Sequence, residues 1–193
     1  IQNLLDASRI KSGGFTFLPM DHDIRGILAE VVEDSRLLAE EKGLSLRLEA
    51  PGAAVALSCD KVLLAQVMSN LVQNAIKFTA AGGAINVSAA VTGDELKVSV
   101  KDTGQGISIA EQPHVFEKFW RAKKFTGEGA GLGLYISRAI VEAHRGKIEM
   151  SSAVGKGTEF IVTLPIAKAG AATSEAQVSL CAKVEREEAA CSA

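Results

Sequence analysis

The stretch from Ala84 to Asp102, AINVSAAVTGDELKVSVKD, constrains this chain more than any other. LKVSV alternates apolar and polar residues with the period of a half-buried strand. AINVSAAV reads as its partner strand, and Thr92-Gly93-Asp94 between them reads as a hairpin turn. The second strand ends in a carboxylate, and DTGQGI at 102–107 then places two glycines one residue apart. Glycine gives up the most conformational freedom on folding, so such a pair marks a turn where backbone must approach something.

Other elements surround this hairpin. Asp23 and Asp60 are placed to cap helices over 24–42 and 61–79. The first turns Ile24, Ile27, Leu28, Val31, Val32 and Leu38 inward and ends at Gly43; the second carries a stripe of Leu63, Leu64, Val67, Leu71, Ala75 and Phe78. FTFLPM and LSLRLEA alternate as strands, and KIEMSS and TEFIVTLPI are two more around Gly155 and Gly157. A third helix runs from about Leu132 to Ala143 and stops at Gly146. Residues 103–128 lack periodicity and read as a long loop, the kind that is usually functional or mobile. At the start, Ile1, Leu4, Leu5 and Ser8 share a helical face that Gly13-Gly14 ends. From 169 to 193 the chain is alanine-rich, a flexible tail or linker, with a short helix over 175–189 as the alternative.

Composition bounds the function classes. The 193 residues suffice for one domain with appendages, and a net charge of −2 argues against nucleic acid as a partner. Cys59, Cys181 and Cys191 are isolated and odd in number, which fits a reducing, cytoplasmic location better than a disulfide framework. No apolar run reaches the roughly 20 residues that span a bilayer. The chain begins with Ile and reads as a piece of something longer, with room for a membrane anchor in the remainder.

Three stretches carry candidate chemistry. Asn70, Asn74 and Lys77 cluster at one flank of the second helix; a carboxamide oxygen suits Mg²⁺ and an ammonium suits phosphate, while an ordinary solvated helix edge is the plain alternative. GEGAGLGL at 127–134 leads into the third helix, whose first N–H groups favour anions; it is neither a Walker A loop nor a G-x-G-x-x-G fingerprint, since Leu132 stands where a third glycine would, and a flexible hinge is the alternative. FEKFWRAKK at 116–124 pairs Phe116 and Phe119, which could pin the loop, with Lys118 and Arg121, which could face phosphates; a basic surface turn explains it equally well. His22, His114 and His144 are far apart in sequence, without metal-ligand spacing.

In order and spacing, NLVQNAIKF, DTGQGI, FEKF, GAGLGL and the closing GKGTEFIVTLP resemble the nucleotide-binding boxes of sensor histidine kinases, over about residues 15–166. The resemblance implies an α/β two-layer sandwich of the Bergerat type, with a mixed sheet of about five strands and about three helices on one face. Residues 1–14 then look like the end of the second dimerisation helix, and 15–168 like the catalytic ATP-binding domain. It implies ATP and Mg²⁺ as ligands. Asp102 matches the acceptor of the adenine amino group, with Gly104 and Gly106 letting the loop pass close to the nucleotide. Thr158 matches the threonine supporting that pocket, Asn74 the Mg²⁺ ligand, and Asn70 and Lys77 its phosphate-side neighbours. Gly129, Gly131 and Gly133, with Leu132 among them, match the lid hinge and phosphate cradle; Lys118 and Arg121 are looser transfers. Residues 107–130 are expected to form a lid that nucleotide orders. The implied partners are a histidine-bearing dimerisation domain, a response regulator, and a second copy of the full-length protein.

Two departures refine this. HDIRGI at His22 echoes the phospho-accepting H box, but Gly26-Ile27 replaces its ending and it falls after the dimerisation helix. The chain therefore holds the nucleotide side of the reaction without the acceptor. Hydrolysing relatives carry a glutamate base four residues before the metal-binding asparagine; here that residue is Asn70, which favours transfer over hydrolysis.

Overall fold

The computed structural model describes residues 17–121 and 130–166. The expected helix over 1–11, Gly127 and Gly129 of the second glycine cluster, and the stretch from 169 lie outside the described residues. The elements in chain order are β1 (Met20–Asp23), α1 (Ile24–Glu41), β2 (Ser45–Glu49), β3 (Ala56–Cys59), α2 (Lys61–Phe78), β4 (Ala84–Thr92), β5 (Glu95–Asp102), α3 (Gly133–Ala143), β6 (Lys147–Ala153) and β7 (Gly157–Pro165), with a short 3₁₀ turn at Gln112–His114.

The hairpin forms as read: β4 and β5 pair antiparallel from Ile85–Asp102 to Thr92–Glu95, with Gly93 at φ +64° in the turn. It lies inside a mixed five-stranded sheet of order β2-β4-β5-β7-β6, in which only β2–β4 is parallel. Inward residues alternate along the strands: Ile85 and Val87, then Leu96, Val98 and Val100, then Phe160, Val162 and Leu164. They share one core with α1, α2 and α3, so the architecture is the expected α/β sandwich of sheet and three helices. Among the described residues no helix is long and apolar enough to cross a membrane.

The central helix, α2, packs on α1 and α3 as well as on the sheet. Its buried face is therefore wider than the stripe expected: Met68, Val72 and Ile76 are buried beside Leu64, Val67, Leu71 and Ala75, while Leu63 and Phe78 are only half-buried. On α1 the inner positions continue through Ser35 and Ala39, and Leu38 is 51% exposed. One residue off the stripe is a 100° rotation, which turns Leu38 outward. Ser35 is buried without penalty because its hydroxyl donates to the Val31 carbonyl at 2.8 Å.

Both helix caps form. Asp23 accepts from the Arg25 amide, and Asp60 Oδ1 accepts from the Val62 and Leu63 amides at 3.1 Å each. Asp60 is also a junction: its Oδ2 accepts from Leu18 N–H at 3.1 Å and its own N–H donates to His144 Nε2 at 3.1 Å. His144 Nδ1 lies 2.8 Å from the Ile140 carbonyl, so the proton sits on Nδ1 and the ring ties the start of α2 to the end of α3. His144 is thus structural. His114 is exposed beside Glu117 at 2.8 Å, and His22 lies in β1 opposite Leu57, in a strand and not a phospho-accepting helix.

Two strand expectations are corrected. Of the expected strand FTFLPM, residues 17–19 are not strand and β1 begins at Met20, while β3 has no counterpart among the expected strands. The two pair antiparallel as a separate ribbon, so the extent of each is set by the other.

Candidate functional site

Asp102 closes β5 and is 5% exposed. Its Oδ1 accepts from the amides of Gly104 at 2.7 Å and Thr158 at 3.2 Å. Burial pushes the carboxyl up from the ordinary carboxylate range, and these two amides pull part of the way back. Among the described residues Oδ2 makes no hydrogen bond. The carboxylate is therefore oriented, with one oxygen held by backbone and the other left as an acceptor.

The two glycines of this loop come close to the protein's own backbone. A Cβ at Gly104 would lie 2.5 Å from the Phe78 carbonyl, and one at Gly106, where φ is +69°, would overlap the Ala153 carbonyl. The loop is thus wedged between the end of α2 and the β6–β7 turn, and Gln105 bonds both: its N–H to Phe78 O at 3.3 Å, its carbonyl to Gly155 N–H at 2.7 Å.

Asn70, Asn74 and Lys77 lie on α2, all half-buried. Asn70 Nδ2 donates to Ser137 Oγ on α3 at 2.9 Å. The Asn74 carboxamide has no partner among the described residues. Lys77 Nζ lies 5.4 Å from the Phe78 ring centre. A cavity of about 420 Å³ opens at this end of α2, lined by Lys42, Lys77, Phe78, Thr79, Thr103, Gly104 and their neighbours. Lys42 donates to the carbonyls of Ile76 at 2.6 Å and Lys77 at 2.8 Å, neutralising the negative end of the helix.

Across from Asn70, α3 begins at Gly133 with no side-chain cap from Leu132. Among the described residues its first amides meet no side-chain cap, and amides at such a helix start favour an anion.

Residues 59–168 match the family described as histidine kinase-, DNA gyrase B- and HSP90-like ATPase. This chain belongs to that family. Its relatives within that family include sensor histidine kinases. Over 168 residues it is 34% identical to the adaptive-response sensory kinase SasA of Microcystis aeruginosa, covering 86% of this chain and 44% of SasA. Full-length ShkA, solved in complex with AMPPNP, is similar with a TM-score of 0.79 at 30% identity, over 88% of this chain and 36% of ShkA. The catalytic domain of histidine kinase ThkA gives a TM-score of 0.70 at 27% identity, over 77% of this chain and 98% of ThkA's. The chain spans under half the length of the curated relatives it matches.

The remaining residues of this ATPase-family domain divide by place. Asp102, Gly104 and Thr158 are in direct contact, as are Asn70 and Gly133. Lys77 and Gly104 share the cavity wall. Leu132 is 1% exposed and packs in the core. Gly131, at φ +67°, lies against the backbone of Phe119 and Trp120, so the two described ends flanking 122–129 meet there. Phe116 anchors its segment as expected, edge-on to Phe160 at 6.3 Å. Phe119 does not: it is 58% exposed, turned out by a left-handed backbone at φ +64°, and carries Lys118 Nζ 5.0 Å over its ring. Lys118 and Arg121 are both exposed, outside the cavity wall.

Lys42, Ser137, Ser152 and Gln112 were missed by sequence reasoning. None stands in a box, and each bonds a residue far along the chain, Ser152 accepting from the Ile107 amide. Phe78 and Thr103 had a signal, since each stands inside a box, in NLVQNAIKF and DTGQGI.

Proposed function

We propose that this domain binds Mg-ATP and donates its γ-phosphoryl group to a histidine on a dimerisation domain, residues 1–14 being the end of that domain, 15–168 the catalytic domain and 169–193 a tail or linker. The observation that carries the reading is Asp102. With Oδ1 held by two amides, Oδ2 accepts one hydrogen bond from a donor, and the adenine amino group is a donor where guanine carries a carbonyl. Thr158 supports that wall.

The residues fit Mg²⁺ in a limited sense. Asn74 supplies one neutral oxygen without a partner among the described residues, one turn before Phe78 of the cavity wall on α2, and the described residues hold no cluster of three acidic, His or Cys ligands. Such a site suits a cation that takes its other ligands from nucleotide phosphates and water. When bound, the ion would neutralise charge on the phosphates. The chain's own part is to orient: Lys77 faces phosphate, the amides at Gly133 meet an anion, and Asp102 sets the adenine. Gly104, Gly106 and Gly131 shape the loops around it. Asn70 is bonded to Ser137 and offers no base to activate water, which favours transfer over hydrolysis. A response regulator would take the phosphoryl group onward, and the full-length protein would work as a cytoplasmic-facing homodimer.

Calorimetry on the chain should give saturable ATP binding that weakens without Mg²⁺ and is absent for GTP. With its dimerisation helices added as a separate piece and labelled ATP, acid-labile phosphate should appear on the helices and not on His22, His114 or His144. Equal affinity for ATP and GTP, or labelling of the chain alone, overturns the reading.

A further inference from the structure

Beyond Asp102, one hydrogen-bonded chain runs from the end of the glycine loop to Thr158. Ile107 follows Gly106 and ends the loop. Its N–H donates to Ser152 Oγ at 2.8 Å, and its carbonyl accepts from Gln112 Nε2 at 3.0 Å. The second hydrogen of that amide goes to the Ser152 carbonyl at 2.9 Å. Gln112 thus spends both donors on holding Ile107 against β6.

Ser152 carries the arrangement inward. It sits opposite Thr158 in the β6–β7 register. Its hydroxyl donates to the Gly157 carbonyl at 2.9 Å, and Thr158 Oγ1 lies 3.0 Å from the same oxygen. A serine hydroxyl has one proton. With that proton on Gly157, the Thr158 hydroxyl must donate to Ser152, and Thr158 Oγ1 keeps only lone pairs for anything in front of it. The Thr158 amide meanwhile donates to Asp102.

We infer that Gln112 and Ser152 are positioning residues for adenine recognition: they pin the loop exit and set the direction of the Thr158 hydroxyl, so that Thr158 and Asp102 both present acceptors. This rests on the reading of Asp102 as the adenine acceptor. Neither residue lines the cavity. Each acts through backbone or through Thr158, and a change in either loosens the base-reading wall while leaving Asn74, Lys77 and the start of α3 in place.

The test displaces a fluorescent nucleotide from the full chain with ATP, GTP and inorganic triphosphate, each with Mg²⁺. Gln112→Ala and Gln112→Glu, the latter similar in size but without donors, should weaken ATP by about tenfold and leave triphosphate unchanged. Gln112→Lys keeps donors for the two carbonyls and should restore much of the loss. Ser152→Ala should likewise narrow the preference for ATP over GTP. An equal loss for ATP and triphosphate, or no loss in variants with native thermal unfolding, overturns the inference. Asp102→Asn is the control. If it leaves the ATP preference intact, the adenine reading falls and this inference with it. If it abolishes the preference while the Gln112 variants keep it, the inference alone falls.

Discussion

Gly133, the first residue of α3, is packed so closely on Asn70 of α2 that a methyl group there would overlap the Asn70 amide oxygen. The glycine is therefore a helix–helix contact as well as part of a loop. Together with the Asn70–Ser137 bond it joins the two helices that carry the candidate phosphate-side groups.

Gly133→Ala should destabilise the fold by about 1–3 kcal/mol, the usual range for inserting a methyl into a packed contact. Shortening the partner should relieve it: Gly133→Ala with Asn70→Ala is expected to be more stable than Gly133→Ala alone. Urea midpoints of the cycle measure this, and additive losses would refute the contact.

For Asp102→Asn the two amides on Oδ1 decide the outcome. They hold the new carboxamide by its oxygen and leave its NH₂ pointing where the adenine amino group needs an acceptor. The variant should fold and lose about ten- to a hundredfold in ATP affinity, from a buried mismatch of about 1–3 kcal/mol. Calorimetry with ATP reads it directly.

The same substitution has a pH signature. The folded Asp102 carboxyl titrates above the ordinary value of 3.8, chiefly through burial. The folded chain holds this proton more tightly than the unfolded one. Its contribution is complete below the ordinary value and is lost as pH rises through the raised folded value. Relative to the native chain, Asp102→Asn should gain stability across that rise, as urea unfolding at successive pH values will show.

Asp23 has the opposite sign. Hydrogen bonds from the Arg25 guanidinium hold its carboxyl down at about 2 against an ordinary 3.8. The stability it contributes is present above the ordinary value and disappears as pH falls toward about 2. Asp23→Asn should lose that contribution at neutral pH and flatten the acid limb, both by a small amount because the pair is exposed, as urea midpoints at successive pH values will show.

Asn74→Ala should bind ATP equally with and without Mg²⁺ while keeping the native unfolding temperature, because the side chain is half-buried at the edge of the core. A preserved Mg²⁺ effect on ATP affinity would remove Asn74 from the metal assignment.

What was legible in the sequence follows the range of the interactions. The helices α1, α2 and α3, the hairpin and both aspartate caps are local patterns, and they appeared where periodicity and capping chemistry put them. β3 is four residues long and exists because β1 pairs with it, so neither strand had a readable edge. The left-handed backbone that turns Phe119 outward lies against Gly131, a neighbour that no local pattern announces. At the candidate site, DTGQGI pointed to Asp102. The amide of Thr158 that orients it, and the Gln112–Ser152 brace, join residues with no shared periodicity. The glycines gave a correct sign of close approach, but the partners the structure reveals are Phe78, Ala153 and Asn70.

The one parallel pairing, β2 with β4, has a consequence in time. The antiparallel strands β4 and β5 meet across a two-residue turn and can close early. Before β2 can take its place at the sheet edge, the chain must run through β3 and the whole of α2 and return. Closing that long connection costs more entropy and comes later. The edge strand β2 should be the last to join on refolding and the first whose amides exchange with solvent.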